Sequence, residues 1–204
     1  MKIIFDFDNT LFHEEPFVEG MRQDFGACGV PGDVFTEAAV QAYEGEVWRQ
    51  FQHMNIVADR CGLSINKLNN ALEAIIASAH IFLYHDVYPF LQSVHLDHSL
   101  SILSFGDDKF QRMKIEGAGI SRFFQYIIVT QNIRKDTDAN LLSNGEPALF
   151  VEDNPHALEA VKIHVPHITT VRMRRGHGKY ADTSSGRGID YEITNLNQLY
   201  TFLT

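Results

Sequence analysis

Five short apolar runs recur along this chain, and each stops abruptly at polar residues. They are Ile3-Ile4-Phe5 before Asp6, Leu100-Ser101-Ile102-Leu103 before Ser104, Tyr126-Ile127-Ile128-Val129 before Thr130, Ala148-Leu149-Phe150-Val151 before Glu152-Asp153, and Ile168-Thr169-Thr170-Val171 before an arginine-rich loop. Runs without in–out alternation suit strands buried on both faces, which means a parallel sheet covered by helices. The intervening segments read as those helices. Phe110, Met113 and Ile115 fall near helical spacing before Gly117, and Asn154 caps a segment with Pro155 in its first turn, followed by Leu158, Val161 and Ile163. The expected fold class is α/β, with a doubly wound, mostly parallel sheet.

Residues 16–86 interrupt that rhythm and show no strand signal. Pro16 opens a helix that carries Phe17, Met21 and Phe25 on one face. A long helix is expected from Asp33 through Val40, Tyr43, Val47, Phe51 and Met54 to Gly62, with Tyr43, Trp48 and Phe51 as an aromatic stripe in its core. A further helix begins at Ser64 and aligns Ile65, Leu68, Leu72, Ile75, Ile76 and Ala79. The expected organisation is a Rossmann-like core of residues 1–14 and 87–204 and a smaller all-α subdomain of residues 15–86.

The net charge of -9 excludes some function classes. Residues 1–100 hold five Lys/Arg against fourteen Asp/Glu, so the chain lacks the basic footprint that nucleic acid or an anionic membrane requires. Cys28 and Cys61 show no metal-type spacing, and no apolar run approaches the ~20 residues that span a bilayer. A reduced, cytoplasmic setting is expected.

In a parallel sheet, ligands bind beyond the carboxyl ends of the strands. Those ends carry Asp6, Asp8, Ser104, Thr130, Glu152 and Asp153. Carboxylates packed together need a cation or a proton. Hard oxygen donors without Cys or His suit Mg²⁺, and Mg²⁺ suits phosphate. Asp6 and Asp8, two apart on an extended segment, point the same way. One can attack phosphorus while the other handles the leaving-group proton.

The motifs resemble those of the haloacid dehalogenase superfamily. Asp6-Phe7-Asp8-Asn9-Thr10 matches its first motif, Ser101-Ile102-Leu103-Ser104 its second, Lys135 its third, and Leu149-Phe150-Val151-Glu152-Asp153-Asn154-Pro155 its fourth. The insertion after the first motif sits where that family places a cap. The resemblance implies Asp6 as nucleophile, forming an aspartyl-phosphate, and Asp8 as acid and then base. It implies Mg²⁺ held by the Asp6 carboxylate, the Asp8 carbonyl and Asp153, with Ser104 and Lys135 binding the phosphoryl oxygens and Thr10 steadying the loop. Arg134 could replace Lys135, with Lys109 and Lys114 as further alternatives, and Glu152 is expected to stand behind the metal ligands.

Family members that cleave carbon–halogen bonds lack an acid at the position of Asp8 and need no metal. The resemblance therefore points to a phosphatase acting on a small phosphorylated metabolite. The alternatives are phosphosugar mutase-type phosphoryl transfer and a non-enzymatic phosphoacceptor scaffold. Gly106, in the turn after Ser104, is a candidate phosphate-binding position through its backbone N–H. Arg172, Arg174, Arg175, His177 and Lys179 read as a solvated surface loop, and residues 182–188 as a loop beyond it. The ten histidines show no strong zinc spacing, although His13 could line the cleft.

Overall fold

The computed structural model describes residues 1–203. The chain opens with β1 (Lys2–Phe5), then enters a mostly helical insertion: α1 (Glu14–Ala27), α2 (Gly32–Gln41), a hairpin of β2 (Tyr43–Glu44) and β3 (Val47–Trp48), α3 (Gln50–Cys61) and α4 (Ile65–Ala77). The remainder is α5 (Val87–Val94), β4 (Ser99–Phe105), α6 (Asp108–Gly117), β5 (Tyr126–Thr130), α7 (Asp136–Ser143), β6 (Ala148–Glu152), α8 (Pro155–His164), β7 (Ile168–Met173) and β8 (Tyr191–Ile193).

The six strands outside the hairpin form one parallel sheet, ordered β5-β4-β1-β6-β7-β8. All five expected runs are strands. β8 was missed, because two of its three residues, Tyr191 and Glu192, are exposed and it carries no apolar run. The chain builds outward from β1 through β4 and β5, then returns to the other side of β1 for β6. The carboxyl end of β1, beside β6, is thus the crevice where strand order reverses, the place at which such sheets bind ligands.

The long helix expected from Asp33 is two helices separated by the β2–β3 hairpin. Gly45 at the hairpin tip has φ +62°, which favours glycine and turns the chain back on itself. Val40 and Tyr43, assigned to a buried stripe, are exposed, whereas Trp48 packs edge-on to Phe110 at 5.6 Å. Gly62 ends α3 in the left-handed conformation, as its position implied. The arginine-rich segment is another correction. Arg172 is buried and donates to the Tyr180 carbonyl and Ser185 Oγ, and Arg175 is buried against Asp86 at 2.8 Å while donating twice to the Thr10 carbonyl. Sequence showed the charges but not their long-range partners.

The apolar core runs without a break from Ile3, Phe5 and Ile102 in the sheet through Phe7, Phe12 and Phe17 into Met21, Leu72 and Ile75 of the insertion. Close packing of α4 on α6 depends on Gly117, where an added Cβ would lie 2.1 Å from the Ile76 carbonyl oxygen. Gly117→Ala is therefore expected to cost roughly 1–3 kcal/mol, read as a lower urea midpoint at unchanged m-value.

His53 of α3 is fully buried, with Nε2–H donating to the Phe35 carbonyl at 2.9 Å and Nδ1 unpaired among the described residues. Burial pushes the imidazole pKa below 6.5, and the Phe35 bond only partly offsets this. The unfolded chain then binds the extra proton at this residue, so the His53 contribution to stability is complete above pH 6.5 and is lost as pH drops below it. Measured against His53→Gln, the wild-type chain should lose relative stability between about pH 7.5 and pH 5.5 with a slope of up to ~1.4 kcal/mol per pH unit. His53→Gln should remove that component.

Candidate active site

Asp6 follows β1 directly, and its N–H donates to the Val151 carbonyl at 2.9 Å, so the β1–β6 ladder sets its position. The next residues close a tight loop in which the Leu11 and Phe12 N–H groups both donate to the Phe7 carbonyl at 2.9 Å. Asn9 occupies the left-handed region at φ +57°, which asparagine tolerates better than most residues. Lys135 lies in the same strained region, at φ +58°, just before α7. A non-glycine residue held there by its surroundings commonly marks a functional position.

From that backbone, Lys135 Nζ reaches Asp6 Oδ1 at 2.5 Å and Glu152 Oε2 at 2.6 Å, all three residues being buried. One oxygen each from Asp6, Glu152 and Asp153 lies within 4.8 Å of the others. Burial pushes the Asp6 carboxyl up to about 7, Glu152 and Asp8 add to the rise, and Lys135 opposes it. Asp153 is raised by burial and then by Glu152 and Asp6. Burial alone would lower Lys135, but Asp6 and Glu152 outweigh it and hold the ammonium charged.

Three carboxylates against one ammonium leave two uncompensated negative charges when all are ionised, and one divalent cation matches that excess. The oxygen-only donor set fits a hard ion. Glu152 Oε2 is taken by Lys135 and Oε1 accepts from the Asn154 N–H, leaving Asp6 and Asp153 as the acids best able to reach an ion.

The Asp8 carboxylate lines the same cleft but turns to the other side. Lys114 Nζ holds its two oxygens at 2.7 and 2.8 Å, and Gln111 Nε2 donates to Oδ2 at 2.7 Å. Gln111 also bonds Ser104 Oγ and the Phe105 carbonyl, tying the ends of β1 and β4 together. Ser104 is buried behind this amide. Thr10 is buried, with its carbonyl on Arg175. Among the lysine alternatives, Lys109 covers the Phe51 ring and Arg134 turns to Asp136 and His164, so Lys135 is the cation that contacts Asp6. The Gly106 expectation needs correction. Its N–H donates to the Thr130 carbonyl at 3.1 Å, because the β4–β5 ladder continues to that point, and it is not free for phosphate.

The cleft over Asp6 has a volume of about 420 Å³. Tyr43, Gly45 and Glu46 of the β2–β3 hairpin line it, together with Lys179 and Tyr180. Arg49, just beyond the hairpin, crosses to Asp107 and Gln131 at the carboxyl ends of β4 and β5. Glu14, in the first turn of α1, also faces the cleft, and burial followed by Asp8 pushes its carboxyl up to about 7 against the pull of Lys114. Gln111, Glu14 and the hairpin were missed from sequence. For Gln111 the available signal was a polar residue one helical turn before Lys114 on the buried face of α6.

Residues 3–164 match the sequence family described as haloacid dehalogenase-like hydrolase. The chain belongs to that family. Among solved structures, this haloacid dehalogenase-like hydrolase is similar to a HAD phosphatase from Thermococcus onnurineus, at 19% identity and a TM-score of 0.67 over 100% of this chain and 98% of that one. It is also similar to the HAD-hydrolase YfnB from Bacillus subtilis bound to magnesium, at 16% identity and a TM-score of 0.66 over 100% and 98%. The L-2-haloacid dehalogenase from Xanthobacter autotrophicus shares the fold too, at 15% identity and a TM-score of 0.62 over 99% and 97%. No curated protein matches the chain by sequence. No helix among the described residues is long and apolar enough to cross a membrane.

Proposed function

We propose that this family member is a Mg²⁺-dependent phosphatase acting on a small phosphomonoester, with residues 15–86 serving as a cap over the site. The observation that carries this reading is the pair of acids at the crevice. Asp6 is set against Lys135, and Asp8, two residues on, lines the same cleft on an independent set of partners. Cleaving a carbon–halogen bond does not require that second acid, because halide leaves without a proton, whereas an alkoxide leaving group must be protonated.

In the proposed reaction, Asp6 attacks phosphorus and the phosphoryl group passes to its carboxylate. Asp8 gives a proton to the departing oxygen and then takes one from the water that hydrolyses the aspartyl-phosphate. Lys135 faces the equatorial oxygens and stabilises their charge. Asp6 and Asp153 would hold Mg²⁺, whose role when bound is to neutralise charge on the transferring phosphoryl oxygens. The similarity to a magnesium-bound relative supports that choice of ion. The hairpin wall and Arg49 would help exclude bulk water from the cleft. Its volume of about 420 Å³ suits a metabolite, not a protein surface.

The direct test is hydrolysis of a chromogenic aryl phosphate and a panel of phosphometabolites, with and without Mg²⁺. Metal-dependent turnover is expected, and its absence on every substrate would reject the reading. Asp8→Asn should keep fold and metal binding while slowing turnover by about 10²–10⁴. Unchanged rates would remove Asp8 from proton transfer.

A further inference from the structure

A second group of metal-type ligands lies outside the crevice. His13, at the start of α1, Glu15, in its first turn, and His177, in the loop after β7, each present one ligand atom within 4.8 Å of the other two. The His13 and His177 ring centroids are 4.6 Å apart, and His13 Nε2 is buried with no hydrogen-bond partner among the described residues. The His13 ring also stacks on Tyr84, with ring centroids 5.1 Å apart.

The loop that brings His177 here is narrowly defined. Gly176 and Gly178 on either side have φ of +78° and +86°, and a Cβ on Gly178 would lie 2.7 Å from the Asn9 side chain. Two imidazoles and one carboxylate form the donor set of an open three-ligand transition-metal site, unlike the all-oxygen set around Asp6. Bond lengths of about 2.0–2.2 Å place an ion between atoms at this spacing after small rotations of the exposed Glu15 and His177 side chains.

We infer that His13, Glu15 and His177 bind a borderline divalent transition cation of the Zn²⁺ class. The ion would tie the first turn of α1 to the loop that packs on Asn9. The spacing in sequence, 13 and 15 against 177, hides the group from motif reading.

Co²⁺ is the probe for this site, added to the full chain in excess Mg²⁺ so that the Asp6–Asp153 site stays filled. Visible absorption characteristic of low-coordinate nitrogen ligation is expected at one equivalent, displaced by Zn²⁺. Zn²⁺ should also raise the unfolding temperature. His177→Ala and Glu15→Gln alter exposed side chains and should leave the fold intact. Each should weaken Co²⁺ binding by at least about 10–100-fold and remove the Zn²⁺-dependent thermal shift. Weak absorption typical of octahedral oxygen ligation in the wild type, or unchanged affinity in either variant, would overturn the assignment.

Discussion

Asp6→Asn is expected to reduce phosphomonoester turnover by at least about 10⁴-fold, since it removes the nucleophile while keeping the size and shape of the side chain. The fold should survive. The substitution deletes one negative charge from a buried group in which three carboxylates face a single ammonium, and the lost Lys135 ion pair is partly offset by less repulsion from Glu152 and Asp153. Rapid-quench trapping of radiolabelled substrate should show phosphate bound covalently to the wild-type chain and none on the variant. Turnover that persists in Asp6→Asn would place the attacking atom elsewhere. It would leave the family membership untouched, because that rests on the match over residues 3–164.

Lys135→Met is expected to damage both stability and rate. Methionine follows the lysine stem but leaves Asp6 and Glu152 buried without their cation, a loss worth about 3–5 kcal/mol when one partner of a buried pair is removed. The penalty has a defined pH dependence. Asp6 already has a folded-state pKa near 7, raised by burial, and removing the opposing ammonium raises it further. A carboxyl whose pKa is higher folded than unfolded binds its proton preferentially in the folded state, so its cost grows as pH rises above the unfolded value of about 4. The gap in unfolding midpoint between wild type and Lys135→Met should therefore be larger near pH 8 than near pH 5. An equal gap at both would mean that the lysine acts through packing alone. Turnover should fall by about 10²–10³ with the loss of one charge stabiliser.

Much of this architecture was legible because parallel strands and their termini are local features. The run Ile3-Ile4-Phe5 ending in Asp6, and Ala148 to Val151 ending in Glu152-Asp153, display apolar burial and the polar break within a few residues, and both lie in register across the β1–β6 ladder. The same local logic located Gly62 as a helix stop and Asn154-Pro155 as a helix start, where Asn154 Oδ1 accepts from the His156 N–H. It failed between Asp33 and Met54. There, apolar residues at helical spacing concealed a hairpin whose short strands are decided by the turn at Gly45 and by Trp48 packing on Phe110.

The sequence alone determined the strand pattern, the acids at strand ends and the place of the insertion, since each depends on residues adjacent in the chain. Only the tertiary structure decided which charges meet. Lys114 and Gln111 hold Asp8 across more than a hundred residues, Arg175 is buried on Asp86, and His177 comes to rest beside His13. Electrostatic pairing and ligand geometry depend on distance in space, to within a few tenths of an ångström. Separation along a folded chain carries almost no information about that distance.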